Sequence, residues 1–163
     1  MIKEIEFTLD EWKSTRKNTI ELINDLKNED IDFNLPRPIL NTLKKHFQEM
    51  IDIQQAYVMA IEKGNMSFDL TSDTYHGEIS YIELTNMMKE LDESMVNIIA
   101  RKDHLFTIDW FGDIKTISSH LCSLVAHETF HQGQIVAFYY TLGRAIPELV
   151  AEDWALPQTE NRN

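Results

Sequence analysis

The chain has 163 residues, a formal net charge of −12 and one cysteine. This length fits a single domain, residues 1–163, that can bury a substantial core. The negative charge disfavours contact with nucleic-acid phosphates, and a lone Cys122 cannot form an internal disulfide, which fits a reducing compartment. The N-terminus is acidic where a signal peptide would be apolar, and no stretch approaches the length of a membrane span. We therefore expect a cytoplasmic protein with no nucleic-acid or membrane partner.

Two helices are predicted in the first half of the chain. Thr8-Leu9-Asp10-Glu11 has the pattern of a capping box, which predicts a first helix with Thr8 as its N-cap. That helix is expected to fray near Asn28-Glu29-Asp30. Pro36 and Pro38 mark a loop and the start of the second helix, which ends near Lys63-Gly64.

The second half predicts two more helices. The third runs roughly from Glu78 to Arg101, and Asp103 to Lys115 is interpreted as a connection. The fourth starts near Thr116 and is stopped by Gly143, after which a short helix is expected around Leu149 to Ala155. Glycine (5) and proline (4) are scarce, and no convincing β-strand is visible. The chain is therefore predicted to be all-α, an antiparallel four-helix bundle with a short C-terminal extension.

The pattern H-E-x-x-H appears as His127-Glu128-Thr129-Phe130-His131 in the fourth helix. Residues four apart lie on one face of a helix, so His127 and His131 can grip one divalent transition metal. The glutamate between them could act as a base on metal-bound water. The motif therefore predicts a metal site, with Glu128 as a candidate catalytic residue.

A third ligand is needed, and His46 is the best candidate. It lies at an inward position in the middle of the second helix, where a buried imidazole needs a polar partner. His120 is too far along its helix to share an ion with both His127 and His131, since residues rise about 1.5 Å each. A neutral three-histidine site suits Zn²⁺, Ni²⁺ or another late divalent metal.

Two alternatives bear on this motif. A zinc protease would take a downstream carboxylate such as Glu148 or Glu152, but it would also need a sheet edge for its peptide. A non-catalytic bundle would keep the histidines as core residues or as a structural site. His76 and His104 lie in or beside predicted loops, so spacing does not select them.

The motifs together resemble those of the DinB/YfiT-like family of metal-binding four-helix bundles. The resemblance rests on the segment from Leu43 to Glu49 around His46, the block from His127 to Ile135, and the stretch from Leu142 to Glu148. It covers nearly the whole chain. The residue after the last histidine is frequently Arg in the family and is Gln132 here, a departure that concerns the rim of the site.

The resemblance implies three histidines binding one divalent metal, often in a homodimer. Some relatives are S-transferases or isomerases that use a low-molecular-weight thiol such as bacillithiol or mycothiol, and others are described as metal-dependent hydrolases. We therefore expect a thiol-dependent S-transferase acting on a small molecule. A metal-dependent hydrolase and a non-catalytic metal- or ligand-binding bundle remain alternatives.

Several further residues carry expectations. Gln134 is one turn past His131 and could orient a ligand from the second shell. Gly133 inside a helix predicts close packing or a nearby ligand. Cys122 is expected to be core and not a nucleophile. Three aromatic residues are expected to be core or to line a pocket: Tyr57, Trp110 and Phe111.

Overall fold

The computed structural model describes residues 3–27, 29–30, 32–35, 41–68, 79–103 and 105–158. Its elements in chain order are α1 (Lys3–Asp25), α2 (Leu43–Lys63), α3 (Tyr81–Ile99), β1 (Thr107–Trp110), β2 (Asp113–Thr116), α4 (Ile117–Thr141) and α5 (Glu148–Asp153). None of the described helices is both long and apolar enough to cross a membrane. The predicted all-α class is confirmed.

The start of α1 differs from the prediction. The helix begins at Lys3, so Thr8 is inside it, and the Thr8 hydroxyl donates to the Glu4 carbonyl at 2.8 Å. Glu4 and Glu6 stand in the first turn, where negative charge opposes the positive end of the helix dipole. Thr8 is therefore not an N-cap, because a capping-box pattern can also occur in a helix that began one turn earlier.

Helix α2 ends where the sequence indicated. Gly64 adopts a left-handed φ of 84° at its C-cap, a conformation that glycine takes without steric strain. The helix begins at Leu43, with Thr42 as its N-cap accepting from the Lys45 amide. Pro36 and Pro38, which predicted the start of this helix, lie outside the described residues.

The later helices match their predictions closely. Ser80 and Glu83 form a reciprocal capping box at the start of α3, and Thr116 caps α4 by accepting from the Ser119 amide. Gly143, with φ 66°, follows the end of α4. The short helix predicted in the tail is α5.

The connection predicted between α3 and α4 contains a β-hairpin that sequence analysis missed. Strands β1 and β2 pair antiparallel from Thr107↔Thr116 to Trp110↔Asp113. Phe111 (φ 54°) and Gly112 (φ 97°) form the two-residue turn, in which both positions need positive φ. Phenylalanine is an unusual residue in such a turn, and the strands have only four residues each. Neither the turn residues nor an alternation of polar and apolar residues therefore predicted the hairpin.

The helices form a bundle in which two of the neighbouring pairs run parallel. Contacts between α1 and α4 advance together along both helices: Thr8 meets Ser118, Thr19 meets Glu128, and the Tyr139 hydroxyl donates to the Leu22 carbonyl. Helix α2 runs against α4, because His46 meets His131 whereas Tyr57 meets His120. Gln54 with Asp92, and Glu62 with Lys102, show that α2 and α3 run in the same direction. The predicted antiparallel bundle is thus refined to an up-down-down-up order of its four long helices.

Candidate metal centre

His46 of α2 and His131 of α4 meet inside the bundle. Their Nδ1 atoms are 3.0 Å apart, and both side chains are buried. Phe138 packs edge-on against the His46 ring, with ring centroids 5.5 Å apart. The antiparallel crossing of α2 and α4 thereby brings together residues 85 positions apart in sequence.

His127 lies one turn before His131 and contacts its other nitrogen. The two Nε2 atoms are 3.3 Å apart, and the His127 side chain is half-buried. His131 therefore stands between His46 and His127, with a different ring nitrogen towards each. All three predicted histidines are therefore in contact. One ion takes one nitrogen from each imidazole, so the three rings do not yet direct their nitrogens at a single point.

Glu49 joins this centre, and sequence analysis did not select it. One ligand atom from each of His46, Glu49 and His131 lies within 4.8 Å of the others, which forms a group that could hold a metal ion. Glu49 is three residues after His46, so the two side chains share a face of α2. That H-x-x-E spacing was the available signal. It carries little information in a helix rich in charged residues, and Glu49 had no reason to stand out.

Burial keeps the histidines neutral. Desolvation lowers the pKa of His46 and of His127, with a polar contact from Gln134 raising that of His46 by a smaller amount. Desolvation, followed by the proximity of His127 and His46, lowers the pKa of His131 to about 4. At neutral pH the rings therefore keep the nitrogen lone pairs that a metal requires.

The donor atoms fit a divalent transition metal. His46 Nε2 and His127 Nδ1 are buried and have no hydrogen-bond partner among the described residues, which is costly for polar atoms. Zinc–nitrogen bonds of about 2.0–2.1 Å put two tetrahedral nitrogen ligands about 3.3 Å apart. The 3.0 Å between the Nδ1 atoms of His46 and His131 is close to that spacing. His127 lies against the other nitrogen of His131, so it would join the same ion only after a ring rotation.

Glu128 faces away from the histidines, towards α1. Its side chain is fully buried, with Oε1 2.7 Å from the Arg16 guanidinium and accepting from the Thr19 hydroxyl at 2.6 Å. Burial raises the pKa of Glu128, and Arg16 and Thr19 act in the opposite direction. The carboxylate between the two motif histidines is thus occupied in an ion pair.

Arg16 extends this ion pair into a network across all four long helices. It donates to Gln54 Oε1 at 2.7 Å, lies 3.4 Å from Asp92, and stacks over the Trp12 ring. Gln54 and Trp12 both donate to Asp92. These contacts explain why the charged Arg16 can be buried among the apolar residues of α1.

The remaining histidine of α4 is a core residue. His120 accepts from Trp110 Nε1 at 2.9 Å and, through Nε2, donates to the Tyr57 carbonyl at 3.0 Å. Burial lowers its pKa to about 4. Its exclusion from the metal site is consistent with these contacts, and Tyr57 is core as expected. His76 and His104 lie outside the described residues.

The structure bears on four further expectations. Cys122 is exposed and not core, and Phe111 is 73% exposed at the hairpin turn. A Cβ added at Gly133 would meet nothing within 4 Å, so this glycine does not serve close packing. Gln132 does not border the histidines, because its amide nitrogen donates to the Thr15 carbonyl and to Thr19.

Comparison with known proteins identifies the family of this chain. The model of the DinB family matches residues 1–161 of the chain. The chain belongs to the DinB family. No curated protein matches this DinB family sequence significantly.

Two crystal structures of bacterial relatives share the DinB fold. A DinB-like protein from Bacillus cereus ATCC 10987 superposes with a TM-score of 0.71 at 18% sequence identity, covering 87% of this chain and 95% of that one. A DinB-like protein from Bacillus subtilis gives a TM-score of 0.65 at 18% identity, covering 84% and 92%. At this level of identity the likeness establishes the fold.

Proposed function

We propose that this DinB family protein is a metal-dependent S-transferase, in which a small thiol loses its proton and its sulfur forms a bond to an electrophilic small molecule, displacing the leaving group where there is one. The supporting observation is the buried contact between His46 and His131, whose nitrogens lie 3.0 Å apart with His127 adjoining. Neutral imidazoles at this distance can share one N–H···N hydrogen bond, whereas a shared cation would bind one nitrogen lone pair from each ring. The proposed ligands are His46, His127 and His131, and the half-buried Glu49 is proposed as a fourth.

The donor set selects the class of metal. Imidazole nitrogens with one carboxylate suit Zn²⁺ or Ni²⁺ better than Mg²⁺ or Ca²⁺, which prefer oxygen ligands. A divalent ion held there would supply the positive charge that stabilises a thiolate at neutral pH. His46 and His131 hold their lone pairs ready by staying neutral, and Gln134 interacts with His46 and orients it.

Glu128 is the reason to favour a thiol over water as the nucleophile. In the zinc proteases that share H-E-x-x-H, this glutamate takes a proton from water. Here Arg16 and Thr19 hold Glu128 on the side of α4 that faces α1, and Glu49 lies within the donor set. A thiol, with an ordinary pKa of about 8.5 against about 15.7 for water, needs far less help to lose its proton.

The experiment compares sulfur transfer with hydrolysis. Protein purified without a histidine tag is loaded with Zn²⁺ or Ni²⁺ and assayed with a low-molecular-weight thiol against a panel of electrophiles. We expect thiol-dependent product formation that His46→Ala abolishes, whereas His120→Gln, a change at a core histidine, retains turnover. Turnover with water alone would favour a hydrolase. Metal binding without any turnover would favour a non-catalytic bundle.

A further inference from the structure

Lys115 lies on the inward face of the β-hairpin. In the antiparallel pairing it stands opposite Ile108, and the side chains of directly paired residues project from the same face. Ile108 is completely buried, and Lys115 is half-buried, whereas the other three residues of β2 are exposed. A charged residue therefore occupies a position at which the hairpin otherwise directs an apolar side chain towards the bundle.

Two contacts hold the Lys115 ammonium in one place. Its Nζ lies 3.7 Å from the centroid of the Trp110 ring and donates to the Ser123 hydroxyl at 3.3 Å. Trp110 is itself fixed, because its Nε1 donates to His120. A lysine side chain that is held in one conformation loses rotamer freedom worth up to about 2 kcal/mol. The ammonium is therefore preorganised, in contrast to that of a lysine extended into water.

This ammonium forms no ion pair with any carboxylate in the part of the chain that the structure describes. Other cations of the protein do: Arg16, Lys44 and Arg144 each contact an acidic side chain. An ammonium has three N–H donors, and Ser123 accepts one of them. Since the chain has a net charge of −12, an anionic ligand is repelled over most of its surface. A held cation of this kind is a local position at which an anion is attracted.

Ser123 connects Lys115 to the histidine centre along α4. It lies four residues before His127, on the same side of the helix, and is about 6 Å from it and about 12 Å from His131 along the axis. Tyr57 of α2 interacts with Ser123, whereas His46 of the same helix meets His131. The lysine and the histidine centre therefore lie at two points of one seam, the seam between α2 and α4.

This α2–α4 seam is partly open to solvent between the two points. Half-buried residues line it from both helices, namely Glu49, Ile53, Ser123 and His127. Ile53 lies seven residues after His46 and four before Tyr57, so it supplies an apolar side chain between the two ends. A small molecule lying along the seam would have its reacting atom at the histidines, its apolar part against Ile53 and an anionic end at Lys115.

Building on the proposed S-transferase function, we propose that Lys115, held by Ser123 and Trp110, binds a carboxylate of one of the two reactants and so selects acidic small molecules. Contacts between an ammonium and a carboxylate are roughly twice as strong as those between neutral groups. The carboxylate would lie about one to two helical turns, about 6–12 Å, from the reacting atom. Lys115 is then a specificity residue, which contacts the reactant away from the bond that forms.

Calorimetric titration of untagged, Zn²⁺-loaded protein with matched thiols tests this without turnover. We expect ω-mercaptohexanoate to bind about tenfold more tightly than ω-mercaptohexanol. Mercaptoacetate should gain no such advantage over mercaptoethanol, because it is too short to reach Lys115 from the histidines. Lys115→Met keeps an apolar side chain over Trp110 and should abolish the preference for the longer acid, whereas Lys115→Arg should retain most of it.

A second pair of compounds places the acid on the acceptor. With mercaptoethanol as the thiol, kcat/KM for para-bromomethyl benzoate is compared with kcat/KM for its methyl ester, and Lys115→Met should remove the preference for the acid through KM. Lys102→Met is the matched control. The Lys102 ammonium also lies over an aromatic ring, that of Phe106 at 4.2 Å, but it donates to the Glu62 carbonyl of α2. It removes the same charge and should leave both preferences intact.

The two pairs decide which reactant carries the acid. A Lys115-dependent preference in the first pair assigns the carboxylate to the thiol, and one in the second pair assigns it to the acceptor. No preference in either pair, or a preference that survives Lys115→Met, would overturn the subsite. A Lys115-dependent preference in binding without turnover of any thiol would support the subsite and count against S-transfer. Turnover without such a preference would do the reverse.

Discussion

Arg16 and Glu128 are the charged pair at the centre of the bundle. Their 2.7 Å contact lies where both side chains are almost completely buried, so each charge depends on the other for compensation. Because Glu128 sits between His127 and His131 in sequence, anchoring it to α1 fixes the rotation of α4. That rotation turns the two histidines towards α2.

Replacing Glu128 with glutamine tests this structural role. Glu128→Gln keeps the shape but leaves Arg16 with less compensation for its charge, and we expect the free energy of unfolding to fall by about 3 kcal/mol. Urea denaturation of the metal-free protein measures it, with the exposed Glu93→Gln as a control expected to change little. Unchanged stability together with lost turnover would instead give Glu128 a catalytic role.

His120 predicts how stability depends on pH. Its folded-state pKa of about 4 lies below the usual 6.5, so the unfolded chain takes up a proton first as the pH falls. The contribution is complete above about pH 6.5 and is lost as the pH drops towards 4, amounting to about 3 kcal/mol. His131 acts in the same direction.

The measurement is urea unfolding of metal-free protein between pH 7.5 and pH 4.5. Wild-type stability should fall towards acid, and His120→Gln should show a shallower fall because one titrating ring is gone. A variant with the same slope as the wild type would mean that His120 does not titrate as its burial requires.

At the scale of elements, two helix ends were predicted well from the residue that marks them. Gly64 ends α2 as the sequence indicated, and α4 begins directly after Thr116, near which its start was predicted, because both ends depend on local backbone geometry. The start of α1 was misplaced, since the pattern at Thr8 is compatible with a cap and with a helix interior. The hairpin was not predicted because Phe111 occupies a turn position that other residues normally fill.

Thr116 offers a prediction about α4. Its side chain accepts from the Ser119 amide, which would otherwise lack an intrahelical partner. Thr116→Ala should lower the free energy of unfolding by about 1 kcal/mol, whereas Thr116→Ser should retain most of it. Thermal unfolding of the two variants decides this, and equal losses in both would show that the hydroxyl is not what stabilises the helix end.

At the scale of the whole molecule, the sequence predicted the helix count and the inward histidines but not their assembly. Periodicity shows which face of a helix is buried, and it does not show which helix that face meets. The contact of Glu128 with α1, the parallel α2 and α3, and the approach of Glu49 to His131 all depend on that packing. They therefore emerged only from the three-dimensional structure.

The central claim is that the histidine centre binds a divalent metal, and calorimetric titration of untagged, chelator-stripped protein with Zn²⁺ or Ni²⁺ tests it most directly. We predict one ion per chain for the wild type and for His120→Gln. Binding should weaken at least tenfold in His46→Ala and in His131→Ala, with proton release near zero because the rings are already neutral. Absence of binding by the wild type, or equal binding by His131→Ala, would contradict the account.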